Sequence, residues 1–475
     1  MRYAAISLLL LALFVPGNSL AAGSERPSTV WHRELVNLTV YNAGTSLVHD
    51  RRRVHLDAGL NRIAWRDVSA QMDPTTALVD DFTSPDGVNV VEQNFDFDLL
   101  NPNALLNRYL GQEVVVVHDP RFPGDRETRE TARILATNGG IVLQYRDRIE
   151  TELRGHIAYP VNSKNFRDRP TLVLEMDSRQ AGTQSLDLSY LTTGLSWHAD
   201  YVGVLAPDEK TMSLIGLVTL SNTSGVAYDN ARLQLVAGNV NVTPQAAAGS
   251  LRTIAHVTSD TYSTGRFGEQ NYFEYHLYTL RRPTTVLNNQ TKQISLLSAH
   301  DVPVRKTIEL RGSSDYYQNA EADLGDRLPL QVYVSFENRG GDLGVPLPAG
   351  TVRLYKNDAG GLSQFVGSDQ IAHTPRNETV RLNLGESFDV TARKKQTDFS
   401  NLNVCSADSS YEIVVSNAKP APQDVLIVES IPGSWRILAE SSQHVKTSAS
   451  TANWTLRVPA DGKTRLTYTA RSSWC

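Results

Sequence analysis

The sequence predicts an all-β protein: small N-terminal β domains with one short helix, then a multi-strand β-sandwich region ending in an Ig-like β-sandwich. Three observations carry this. Apolar and polar residues alternate with period two almost everywhere after residue 35. Clusters of Gly, Asn and Asp interrupt these runs at short spacing, as hairpin turns require. A single stretch, near Asn101, carries the punctuation of a helix.

The N-terminal β region spans 30–100. Leu35–Tyr41 alternates as a strand, Asn42-Ala43-Gly44-Thr45 supplies a turn, and Arg52–Leu56 and Asn61–Trp65 follow across Asp57-Ala58-Gly59. The next unit, 101–160, opens with the helix. Asn101 caps, Pro102 suits the first helical position, and Ala104, Leu105, Leu106, Tyr109 and Leu110 make an apolar stripe that stops at Gly111. Strands at Glu113–Val117, Ala132–Ala136 and Ile141–Tyr145 then suggest a small barrel-like fold, with Asn138-Gly139-Gly140 as a tight turn.

A central β domain is expected at 165–385. Its strands read as Thr171–Met176, Gln184–Leu191, Trp197–Leu205, Met212–Ser221, Ala231–Val236, Tyr272–Leu280, Thr291–Leu297, Val302–Leu310, Gln331–Asn338, Thr351–Lys356 and Glu378–Leu384. The polar stretch Thr243–Glu269 lacks periodicity and reads as a long loop. The remainder, 386–475, has the strand spacing of an Ig-like sandwich.

Residues 1–22 read as a secretory signal: Arg2, an apolar run from Ala4 to Val15, then Pro16-Gly17 and the small residues Ser19 to Ala22. The apolar run falls short of the roughly 20 residues that span a bilayer, and no later run is long enough. No cysteine near the cut site offers a lipid anchor, so a soluble exported protein is expected, in the periplasm first and outside the cell second. The chain carries 46 Lys and Arg against 51 Asp and Glu, a net −5, and removal of Arg2 takes this to about −6. That mild, mixed balance argues against nucleic acid or an anionic membrane as partner. Cys405 and Cys475 are the only cysteines, and in an oxidising compartment they are expected to pair.

Long segments resemble the bacterial family called domain of unknown function 4139. SYLTTGLSWHADYVGVL at Ser189–Leu205 and GLVTLSNTSGVAYDNARLQLVAGNVN at Gly216–Asn241 look like its core. YFEYHLYTL at Tyr272–Leu280, PLPAGTVRLYKND at Pro346–Asp358, FVGSDQIAHTP at Phe365–Pro375 and RVPADGKTRLTYTARSSW at Arg457–Trp474 are also similar to it. DRRRVHLDAGLNRIAWRDVSAQMDPTTALV at Asp50–Val79 resembles the region that usually precedes that domain. The resemblance implies an exported or envelope-associated β-rich protein and supplies no catalytic residue. Tyr190, Trp197 and Tyr201 are then core aromatics, while Gly194, Asn222, Gly225, Gly238 and Asn239 are turn residues.

Motif-level chemistry is sparse. The sequence has no Gly-x-Ser-x-Gly elbow, phosphate loop, dinucleotide fingerprint or HExxH zinc motif, so no cofactor or metal is expected. The candidates are short constellations. Glu274 and His276, two apart, would share one face of a strand with Tyr272 and Tyr278, and a carboxylate beside an imidazole can orient a general base. His198 and Asp200 repeat the spacing beside Trp197. Asp96 and Asp98 offer oxygen ligands of the kind calcium takes. Arg51-Arg52-Arg53 reads as a solvated strand start. Asn-x-Ser/Thr triplets at Asn37, Asn222, Asn241, Asn289, Asn377 and Asn453 receive no role. The expected function is a non-catalytic envelope module that binds a protein or a glycan or plays a structural part. The alternative is a hydrolase of a cell-envelope polymer using Glu274 and His276.

Overall fold

The computed structural model describes residues 24–84, 86–97, 99–120, 126–160, 167–238, 240, 267–321, 324–340 and 342–475. The signal expected at 1–22 lies outside these, as do residues 243–266 of the expected loop. Phe267–Glu269, read as the end of that loop, instead begin the strand Phe267–Tyr272. The described residues are all-β, arranged in four sheets with one α-helix.

Two sheets form the N-terminal sandwich. One has the order Arg26–Ser28, Gly59–Arg66, Thr171–Ser178, Val88–Asp96. The other runs Phe267–Tyr272, Tyr275–Leu280, Tyr228–Ala237, Arg33–Tyr41, Ser46–Leu56, Gly182–Thr192, Leu78–Asp81. Alternation explains the packing: Val36, Leu38 and Val40 point inward, separated by the outward Asn37 and Thr39, and meet Trp65, Leu172 and Leu174 of the facing sheet in one core. Trp65 is fully buried there, and burying such a ring stabilises by about 2–3 kcal/mol.

Between Asp96 and Thr171 the chain makes a separate five-stranded antiparallel sheet packed on Tyr109, Val116, Ile134 and Leu143. Its helix, Pro102–Arg108, starts as its residues require: Asn101 Oδ1 accepts from Ala104 N–H at 2.9 Å, and Pro102 needs no hydrogen bond at the first position.

The fourth sheet serves two further cores. Gln290–Arg311 places Leu297, Ala299 and Val302 in the first and Ile308 and Leu310 in the second. Thr379–Asn403 does the same with Val380 and Leu382, then Val390 and Ala392. The strand therefore runs straight across 385/386, the expected domain boundary. A bulge lies there, where Gly385 takes φ 100° and the pairing register with Leu328–Glu337 shifts. Shared strands tie the central and C-terminal sandwiches together. Cys405 and Cys475 form a disulfide that fixes the last strand, Gly462–Ser473, to its neighbour Ser406–Asn417.

The turn assignments drawn from the family resemblance have a physical basis. Gly194 has φ 81°, and a Cβ there would sit 2.8 Å from Ser224 Cα. Asn222 is fully buried; its Oδ1 accepts from Ser224 N–H and its Nδ2 donates to the Val226 carbonyl. That burial leaves no room for a glycan on Asn222 in the folded protein.

Candidate functional site

The chain passes from one sheet of the N-terminal sandwich to the other between Arg26 and Arg33. Arg26–Ser28 pairs in parallel with Ile63–Trp65 at the edge of the first sheet. A single 3₁₀ turn, Val30–His32, follows, and Arg33 then opens the first long strand of the second sheet. Beside this crossover lies a cleft of about 520 Å³, lined by residues of both sheets. Ser28, Trp31, Arg33, Arg53, His55 and Thr183 are among its lining residues.

Trp31 stands at the cleft with 91% of its surface exposed, the largest exposed aromatic among the described residues. The turn is too short to fold the ring inward, and leaving it in water forgoes burial worth about 2–3 kcal/mol.

The cleft floor rests on a buried ion cluster. Arg33 grips Asp50 with two bonds, Nε to Oδ1 at 2.8 Å and Nη2 to Oδ2 at 3.1 Å. Arg52 reaches the same carboxylate with Nη2 at 2.6 Å and donates Nη1 to the Ser28 carbonyl at 2.7 Å. Its guanidinium also lies 4.8 Å from the centre of a Trp65 ring. Arg52 is wholly buried, so it is not the solvated strand start expected of Arg51-Arg52-Arg53. Strand alternation turns Arg52 inward, while Arg51 pairs with Asp187 and Arg53 with Glu34. Burial alone would raise the Asp50 carboxyl pKa; Arg52 and Arg33 outweigh it and hold the group down at about 2.

Two groups at the cleft have hydrogen bonds to spare. Ser28 Oγ is buried and has no partner among the described residues. Arg33 spends Nε and Nη2 on Asp50, and its Nη1 bonds to none of the described residues. Together with the open Trp31 face, these are the parts of a small-ligand site: an aromatic platform and oriented donors.

Glu274 and His276 do not share a strand face. The expected strand Tyr272–Leu280 is a hairpin in which Tyr272 pairs with Tyr275. Phe273 and Glu274 form its two-residue turn, Phe273 with φ 55°. Glu274 is exposed at the tip, whereas His276 Nδ1 lies 2.9 Å from Glu269 Oε1 on the neighbouring strand. His276 also faces His373, whose imidazole is held below its ordinary pKa by burial and by the charge of His276.

His198 and Asp200 do meet, at 3.1 Å. Asp200 is committed to structure, however: it accepts from Thr219 Oγ1 at 2.7 Å and from Arg353 Nη1 at 2.8 Å, pinning three strands. Burial would raise its pKa, but Arg353 and Thr219 lower it. Asp96 is likewise taken by Arg167 Nε at 2.8 Å, and Asp98 lies outside the described residues. Among the described residues no group of three His, Cys, Asp or Glu side chains is placed to hold a metal ion.

Sequence reasoning passed over one further constellation. Ser189 Oγ lies 2.7 Å from His49 Nδ1, and Asp187 Oδ1 lies 3.8 Å from the same nitrogen. A hydrolytic triad uses both ring nitrogens, one toward the nucleophile and one toward the carboxylate. Here serine and aspartate compete for a single nitrogen, so the arrangement cannot relay a proton between them. Trp31 was also passed over, since it precedes the first alternating run. Its signal is a large aromatic between Val30 and His32-Arg33, outside any strand pattern.

No model of a known protein family matches the chain, and no curated protein matches it either.

Proposed function

We propose that the protein is an exported, envelope-associated binding protein that holds a glycan, without catalysis, in the cleft beside Trp31. The carrying observation is the Trp31 ring, 91% exposed at a cleft with unspent hydrogen-bond donors. A sugar ring offers an apolar C–H face to stack on tryptophan and hydroxyls to engage those donors. The size of the cleft, about 520 Å³, suits a small saccharide better than a folded protein surface. Export and the periplasm are supported by the pattern at residues 1–22. The resemblance to domain of unknown function 4139 supports an envelope role, and a disulfide accords with an oxidising compartment. Among the described residues, no helix is long and apolar enough to cross a membrane.

The test is a screen of the purified mature protein against an array of neutral and acidic oligosaccharides, repeated with Trp31→Ala. Saturable binding that weakens by about tenfold or more in Trp31→Ala is expected, as for loss of one aromatic stacking platform. Absence of any binding, or equal binding by the variant, refutes the proposal.

The hydrolase alternative retains one supporting observation, the His276–Glu269 contact. It now assigns the orienting carboxylate to Glu269, so an envelope-polymer hydrolysis would fall in Glu269→Gln and survive in Glu274→Gln. Absence of turnover in the wild type, or turnover unchanged in Glu269→Gln, removes it.

A further inference from the structure

We infer that the Trp31 cleft selects a sugar bearing a carboxylate, a monoanion received by Ser28 Oγ and Arg33 Nη1. This rests on the glycan-binding reading above and names its ligand class.

The first ground is charge. Four guanidiniums lie in or beneath the cleft: Arg26, Arg33, Arg52 and Arg53. Three carboxylates answer them. Arg26 pairs with Asp57 at 2.9 Å and Arg53 with Glu34 at 2.7 Å, while Arg33 and Arg52 share Asp50. One positive charge is left over, and it is buried: Arg52 is fully enclosed and the Arg33 side chain is 9% exposed. Two buried guanidiniums sharing one carboxylate are only partly compensated, so an anion seated at the cleft is favoured there over a neutral group.

The second ground is independent of charge. Ser28 is 2% exposed, lines the cleft, and its hydroxyl has no partner among the described residues. A buried hydroxyl left unbonded is unfavourable, and an acceptor that enters from the cleft far enough to reach it would satisfy it. The surplus is a single charge, which matches a carboxylate; a phosphate dianion would exceed it.

The experiment uses the mature protein and three ligand pairs: galacturonate, glucuronate and N-acetylneuraminate oligosaccharides, each with its methyl ester. The ester keeps the sugar skeleton and removes the charge. Binding is followed by calorimetry at low and high salt. At least one acid is expected to bind about tenfold or more tightly than its ester, as for a hydrogen bond to a charged group. The preference should shrink as salt rises. Ser28→Ala should weaken acid binding by a larger factor than it weakens ester binding. Because that hydroxyl has no partner in the free protein, the variant should melt no lower than the wild type.

Equal or tighter binding of every ester would overturn the carboxylate inference and leave glycan binding standing. So would failure of all three acids while a neutral array sugar binds in a Trp31-dependent way. Failure of every glycan, neutral or acidic, overturns both. A Ser28→Ala protein that binds the acid as the wild type does removes Ser28 from the site.

Discussion

Lys394 and Glu429 meet inside the C-terminal sandwich, Nζ 2.7 Å from each carboxylate oxygen, and neither side chain reaches solvent. Tyr317 donates its hydroxyl to the same carboxylate at 3.1 Å, and the ammonium lies 4.2 Å from the Tyr316 ring centre. Burial lowers the Lys394 pKa, and Glu429 opposes that shift. Removing one partner strands the other charge in the core. Lys394→Met should therefore cost about 3–5 kcal/mol in urea denaturation, and the double variant Lys394→Met/Glu429→Leu should recover most of it. A single variant as stable as the wild type would show that the pair is not held as ions.

Asp50 links stability to acid pH. Its folded pKa, about 2, lies below the 3.8 of an unperturbed aspartate, so its contribution is complete above pH 4 and disappears as pH falls toward 2. The size is about 2 kcal/mol, from 1.36 kcal/mol per pH unit. Denaturation midpoints measured from pH 5 to pH 2 should fall, and this part of the fall should be missing in Asp50→Asn. That variant will also be less stable at pH 7, because Arg33 and Arg52 then lack their counter-charge.

The disulfide fastens the final strand. Reducing it, or replacing Cys475 by Ser, should lower stability by about 2–4 kcal/mol, since it closes a loop across a separation of 70 residues. Melting curves with and without reductant measure this. Amide exchange should rise first along Gly462–Ser473, whose neighbour Trp474 N–H bonds to the Cys405 carbonyl.

Phe273 adopts φ 55°, a conformation that a bulky side chain disfavours, and its ring is 84% exposed. Phe273→Gly should relieve that strain at little packing cost and stabilise the hairpin by about 1 kcal/mol. Slower amide exchange across Gln270–Leu277 would report it; faster exchange would mean that the Phe273–Tyr275 ring contact outweighs the strain.

Much of the fold was legible because its causes are local. Glu113–Val117, a β-branched run of four valines, is found as the strand Glu113–His118, and the Asn101-Pro102 pair starts the helix where its cap and missing N–H demand. Tyr272–Leu280 misled because its turn is Phe273-Glu274, without the Gly or Asn that normally marks a positive φ. Pairings such as Leu172 with Trp65 are invisible to periodicity, which fixes a face but no partner. The Trp31 cleft was illegible for the same reason. Exposure of Trp31 and burial of Arg52 depend on how two sheets face each other, and no spacing in the chain encodes that.

Ligand binding at Trp31 is tested most directly by following tryptophan emission as the mature protein is titrated with the best array glycan. Trp65, beneath the cleft, and Trp454 are fully buried, whereas Trp31 is 91% exposed to the ligand, so Trp31 should dominate the change. A saturable shift in the wild type that vanishes in Trp31→Ala, with melting temperatures equal, is the predicted result. The same shift in both proteins, or none in the wild type, would contradict it.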